Sequence, residues 1–235
     1  MSKLIEPRFR APRLWSNAEL KKILTVIDKY DSVVNVSGWK DIDKEGGSYR
    51  NNYFNKASEY HITNWNSDAR GMQGNIPNEI YLDLEVPVAN ELENKFDIVF
   101  NHTTLEHVFD VFTAFKNLCV MSKNIVIIVA PFLQEQHGGY GDYWRFTPWA
   151  IKRLFVKYGF KPAYISTNDS KNDSIYVLAV GIKNKNDALL GRLSLLEGNI
   201  LKDVENEKKF IGRKHVQDSI LNRLIRKFYR FIYKN

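Results

Sequence analysis

Residues 95–131 read KFDIVFNHTTLEHVFDVFTAFKNLCVMSKNIVIIVAP. The stretch opens on a short apolar, β-branched run at 97–101 (DIVFN) and closes on another at 124–130 (NIVIIVA). Between them, 104–121 carries apolar residues at helical spacing. Two short apolar runs flanking a longer helical pattern make a βαβ unit, whose strands lie parallel in one sheet.

The alternation continues in both directions. Upstream lie runs at 32–36 (SVVNV), 60–63 (YHIT) and 80–84 (IYLDL), with helical stretches at 18–30 and 48–56. Downstream, a helix over 148–158, ending at Tyr158-Gly159, precedes runs at 163–166 and 174–181 (SIYVLAVG). Right-handed crossovers confine such units to a doubly wound, Rossmann-like α/β layer structure. The last two runs are joined by TNDSKND without a helix, so they pair antiparallel. The expected fold is a seven-stranded sheet, parallel with a C-terminal antiparallel hairpin. The chain turns polar after Gly181, so the α/β domain is expected over 1–185, with 1–30 a helical lead-in. Residues 186–235 are expected to form a C-terminal helical extension.

The chain has 235 residues, 44% of them hydrophobic and 13% aromatic, which suits one folded domain and excludes a disordered chain. The single cysteine, Cys119, lies in the apolar stretch AFKNLCVM; it excludes an internal disulfide and a cysteine zinc cage. The N-terminal MSKLIEPRFRAPRLW lacks a signal-peptide core, and the longest apolar run, 125–133, contains Pro131. A cytoplasmic protein is expected. The net charge is +7, yet 201–235 holds ten lysines and arginines against four acids. The rest is nearly neutral, so no nucleic-acid partner is expected. Within the tail, 219–235 (SILNRLIRKFYRFIYKN) sets an apolar stripe against Arg223, Arg226, Lys227, Arg230 and Lys234. Such a helix packs on the body, self-associates, or lies at an anionic inner membrane face.

In doubly wound sheets, ligands bind beyond the carboxyl ends of the strands. After the first strand come Asn35, Ser37 and Gly38, after the second Asn64, and after the third Asp83. The fourth run ends at His102 and is followed by Leu105-Glu106-His107. The fifth opens into PFLQEQHGGYGDYWRFTP, with His137, Asp142, Tyr143 and Arg145 around three glycines. Thr147-Pro148 reads as a helix N-cap followed by proline in the first turn.

The FDIV of 96–99 followed by the LEH of 105–107 closely resembles the segment after the fourth strand in class I S-adenosylmethionine-dependent methyltransferases. The DYWRFTP of 142–148 resembles a subgroup linked to bacterial surface-polysaccharide synthesis, of capsule and lipopolysaccharide. The resemblance implies S-adenosyl-L-methionine as cofactor, held by Asn35, Ser37, Gly38, Asn64, Asp83 and His102. Asn64 stands in it for an acid on the ribose hydroxyls, and Asp83 accepts from the adenine amino group. It implies a small-molecule or saccharide acceptor, O-methylated on a sugar or phosphorylated precursor, with Asp142, Tyr143 and Arg145 binding it. His137 is the first candidate for general base, because a neutral imidazole takes a proton from an attacking hydroxyl; His102 is the second catalytic candidate. Arg145 forks onto an acceptor phosphate or carboxylate, or pairs with Asp142 and pins the loop.

The sequence departs from the family after the first strand. Where the family carries an acid and then three alternate glycines, this chain has Asn35, Ser37, Trp39 and Asp41. A scaffold that kept the fold and lost the cofactor is the alternative. A nicotinamide enzyme is disfavoured, since no G-x-G-x-x-G follows the first strand. An exocyclic-amine methylase is disfavoured because His102-Thr103-Thr104-Leu105 replaces the Asn/Asp-Pro-Pro-aromatic motif. No metal is expected: histidines 61, 102, 107, 137 and 215 offer no pair on one helix face with a third partner.

Overall fold

The computed structural model describes residues 7–66, 71–138, 141–170, 173–183, 187–206 and 211–212. The strands are β1 (Ser32–Val36), β2 (Glu59–Asn64), β3 (Glu79–Tyr81), β4 (Phe96–His102), β5 (Ser122–Leu133), β6 (Lys161–Thr167) and β7 (Ile175–Ile182). They form one sheet in the order β3-β2-β1-β4-β5-β7-β6. The first five strands run parallel, and β7 lies antiparallel between β5 and β6. Six strands therefore share one direction and only β7 is reversed. The expected hairpin is present, with its second strand inserted beside β5.

The helices are α1 (Pro7–Val26), α2 (Tyr49–Asn52), α3 (Val111–Met121), α4 (Pro148–Lys157), α5 (Asp187–Ser194) and α6 (Leu201–Glu205). Successive strand residues point to opposite faces, and the two faces build two cores. On one, Val34, Val99, Val126, Ile128 and Val177 meet Phe115 and Leu118 of α3 and Ile151 and Phe155 of α4. On the other, Val33, Ile98, Phe100, Ile127 and Leu178 meet Leu20 and Ile23 of α1 and Phe54, which follows α2. Burying each such side chain contributes about 1.5–3 kcal/mol. Phe155 lies so close to the sheet that a Cβ on Gly181 would fall 2.4 Å from its ring, which only glycine permits.

The helix expected over 104–121 is divided. A 3-10 turn, Leu105–His107, follows β4, and α3 starts afresh at Asp110, whose carboxylate accepts from Thr113 N–H at 3.1 Å. Thr147 caps α4 through Ala150 N–H at 3.1 Å, with Pro148 in the first turn.

Packing does not stop at the polar stretch near residue 185. Leu189 and Leu193 of α5 enter one core, Ile200 and Val204 the other, and Ile200 N–H donates to the Ile165 carbonyl at 2.7 Å. The body thus extends through α6. The amphipathic segment 219–235 lies outside the described residues. Among the described residues, no helix is long and apolar enough to cross a membrane.

Candidate active site

The carboxyl ends of β1, β2, β3, β4 and β5 converge on one edge of the sheet. The β1 loop is built without alternate glycines, yet keeps their backbone: Ser37, Trp39 and Asp41 have φ of 57°, 51° and 58°. In the left-handed region a Cβ crowds its own carbonyl, so each residue needs outside support. Asp41 supplies much of it. Its buried carboxylate accepts from Asn35 Nδ2 (2.9 Å), the Tyr60 hydroxyl (2.5 Å), the Ser48 hydroxyl (2.7 Å) and Arg50 N–H (3.0 Å). Thr63 accepts from Ser37 N–H at 3.1 Å and Asn64 clamps the backbone of Trp39. Gly38 packs on Asn35; a Cβ there would lie 2.8 Å from the amide.

Two of the expected cofactor contacts are redirected inward. Asn35 is buried and its amide supports Asp41, so it shapes the loop. Asn64 is buried too, and its Nδ2 also donates to Glu79 at 2.6 Å, so both amide protons are spent on the protein and Oδ1 already accepts from Trp39. Asp83, half-buried after β3, accepts from Glu85 N–H at 2.9 Å in a local turn, which leaves lone pairs for another donor.

His102, expected to line the methyl-transfer site and to be the second catalytic candidate, meets α1. Its Nε2 lies 2.8 Å from the Ser16 hydroxyl and its Nδ1 3.1 Å from Thr103 Oγ1. Burial, and then the Arg13 charge, holds its pKa well below the ordinary histidine value. It is a neutral anchor for α1, not an exposed base. Arg13 itself donates to Thr103 Oγ1 at 2.9 Å. No spacing in the sequence singled out Arg13 or Ser16, because their relation to His102 is purely tertiary.

The β5 loop and the turn after β4 close over one another. The Glu106 carbonyl accepts from Tyr143 N–H (2.7 Å) and Trp144 N–H (3.2 Å). The Glu106 carboxyl is almost fully buried, and burial pushes its pKa up to about 8. His107 Nδ1 meets the Gly141 carbonyl at 2.5 Å. The His107 and His137 rings meet edge-on with centroids 5.0 Å apart.

Arg145 forks onto Asp142 at 2.6 and 2.7 Å. Its remaining N–H groups donate to the carbonyls of Gln134, Glu135 and Trp144. All five donors are engaged, so Arg145 pins the loop and offers none to an acceptor anion. Asp142, held by Arg145 hydrogen bonds at a pKa of about 2, also accepts from His137 N–H and lies 3.3 Å from His137 Nδ1. The Gln134 amide nitrogen also approaches the ring, 3.2 Å from Nδ1 and 3.4 Å from Nε2; with the proton on Nδ1, facing the carboxylate, the lone pair stands on Nε2. Of the expected acceptor residues, Tyr143 presents an exposed ring, 52% accessible, beside exposed Phe109.

No protein-family model and no curated protein matches the chain. Solved structures do. Magnesium protoporphyrin IX methyltransferase from Synechocystis PCC 6803, with bound SAM, aligns at a TM-score of 0.55 and 12% identity, covering 78% of this chain and 86% of its own. A protein assigned as a methyltransferase from Bacillus halodurans C-125 aligns at 0.51 and 12% identity, covering 72% and 100%. The trans-methyltransferase CalH, in complex with SAH, aligns at 0.51 and 12% identity, covering 72% and 57%. The chain has the seven-stranded, Rossmann-like fold of these methyltransferases.

Proposed function

We propose that this protein is an S-adenosyl-L-methionine-dependent methyltransferase acting on a hydroxyl of a small-molecule or saccharide acceptor. The observation that carries this reading is the β1 loop, whose Ser37, Trp39 and Asp41 hold left-handed conformations at the sheet edge where the fold binds nucleosides. A loop that keeps strained geometry through a dedicated carboxylate hub is built for a ligand. The backbone of Ser37 and Gly38 would hold the methionine portion, and Asp83 the adenine amino group. Asn35 and Asn64 act behind them, keeping the loop in shape.

When bound, the cofactor supplies an activated sulfonium methyl, so the protein's task is placement and proton removal. His137, oriented by Asp142, takes the acceptor proton on Nε2 as the acceptor oxygen bonds to the methyl carbon. Asp142 and Arg145 fix the loop that presents His137 and Tyr143. The exposed rings of Tyr143 and Trp144 suit the apolar face of a sugar, which supports a saccharide acceptor such as a surface-polysaccharide precursor. Enzymes of that kind act at the cytoplasmic face of the membrane, and the basic segment 219–235 would bring this chain there, or to a second copy.

Calorimetric titration with S-adenosylhomocysteine tests the reading: binding at submillimolar concentration is expected. The consumed amide of Asn64 favours one rival, a scaffold of the same fold without cofactor, and absence of binding would establish it. With binding shown, His137→Ala is expected to lower turnover on a hydroxyl acceptor by about 10²–10⁴-fold while leaving cofactor affinity unchanged.

A further inference from the structure

We propose that Glu106, His107 and His137 form a binding site for one divalent transition-metal ion of the zinc type. Each offers a ligand atom, and the three atoms lie within 4.8 Å of one another. Two imidazoles and one carboxylate are a donor set for zinc and its neighbours; magnesium and calcium prefer all-oxygen shells.

Two further observations point to a cation. The Glu106 carboxyl is 1% exposed and its Oε2 has no hydrogen-bond partner. An orphaned buried carboxyl oxygen is costly, and a metal ion that displaces the carboxyl proton satisfies it. His107 is already dressed as a ligand: its Nδ1 lies 2.5 Å from the Gly141 carbonyl, which fixes the proton there and turns the Nε2 lone pair toward Glu106 Oε1, 3.8 Å away. A carbonyl behind one ring nitrogen is the usual outer partner of a metal-bound imidazole. Asp142, beside His137 Nδ1, serves the third ligand in the same way. Ligand atoms around tetrahedral zinc stand roughly 3.3 Å apart, given bonds of about 2.0 Å. At up to 4.8 Å apart the three atoms stand wider than that, and His137, on the irregular segment after β5, is the ligand whose side chain would turn inward.

The site has a functional consequence, which rests on the reading of His137 as the acceptor's base. Coordination takes the imidazole lone pair that would accept the proton, so zinc is expected to inhibit methyl transfer reversibly.

The test uses the full chain freed of metal with a chelator. Calorimetry with Zn²⁺ should show one equivalent bound, and Co²⁺ should give the visible absorption of a tetrahedral N/O site. His107→Ala and the isosteric Glu106→Gln should each weaken binding at least 10-fold, with the chelated proteins folded by circular dichroism. Failure of the wild type to bind, or equal binding by both variants, overturns the site. Activity is a separate reading: the isosteric Glu106→Gln, which keeps the backbone contacts to Tyr143 and Trp144, should keep basal turnover and lose zinc inhibition. Full turnover with one zinc bound overturns the inhibitory role and leaves the site standing.

Discussion

Trp39 and Asn64 hold one another through two hydrogen bonds. The Trp39 N–H donates to Asn64 Oδ1 at 2.8 Å, and Asn64 Nδ2 returns to the Trp39 carbonyl at 3.0 Å. An amide does both, whereas a carboxylate only accepts. Asn64→Asp should therefore weaken S-adenosylhomocysteine binding. It removes the donors to the Trp39 carbonyl and to Glu79, and sets a charge against the Glu79 carboxylate. A destabilisation of about 1–3 kcal/mol in urea unfolding is expected. A tighter-binding Asn64→Asp would show that the clamp is dispensable.

Ser37 adopts φ 57° at a position where glycine is unstrained. Ser37→Gly should raise stability by up to about 1 kcal/mol, because relief of the left-handed conformation exceeds the added flexibility of the unfolded chain. Chemical denaturation at pH 7 reads this directly.

His102 has its folded-state pKa depressed, chiefly by burial, so the unfolded chain binds the proton more readily. The sign follows from linkage: stability from neutral His102 is complete above the ordinary histidine pKa of roughly 6.5 and declines as pH falls below it. The limiting slope is about 1.4 kcal/mol per pH unit. His102→Gln should remove this component between pH 6.5 and about 5, measured as the difference between variant and wild-type unfolding curves.

Arg145→Lys keeps the charge and loses the fork onto Asp142, along with most carbonyl contacts. A loss of about 2–4 kcal/mol is expected, with turnover falling equally for charged and neutral acceptors. A defect confined to anionic acceptors would return Arg145 to a direct binding role. The Asp142 contribution is present above the usual carboxylate pKa and is lost as pH falls toward about 2.

Gly181→Ala should cost about 1–3 kcal/mol, since its Cβ would strike the fully buried Phe155 ring. Thermal unfolding, with Gly191→Ala as a control that meets no neighbour, measures it.

The layer structure was legible because apolar runs such as SVVNV and NIVIIVA carry their own length and β-branching. The antiparallel hairpin was legible from a helix-free connection. Its insertion beside β5 was not, since strand order is set by tertiary packing. The break before α3 hid within continuous apolar periodicity, and the cap at Asp110 was the available signal. In the site, position was readable and hydrogen bonding was not. Asn35, Asn64 and Arg145 stand where the pattern puts them, but each has its polar atoms turned to protein partners. Spacing likewise sees only groups on one element, so the edge-on meeting of the His107 and His137 rings, thirty residues apart, left no trace in the sequence.

Ser16 and Arg13 reach the end of β4 from α1, and the same helix packs against α5. Helix α1 therefore ties the end of β4 to a helix that follows the whole sheet in the sequence. Trimming the leading helix would strip His102 and Thr103 of their partners Ser16 and Arg13, so a shortened version should not be read as a minimal folded core.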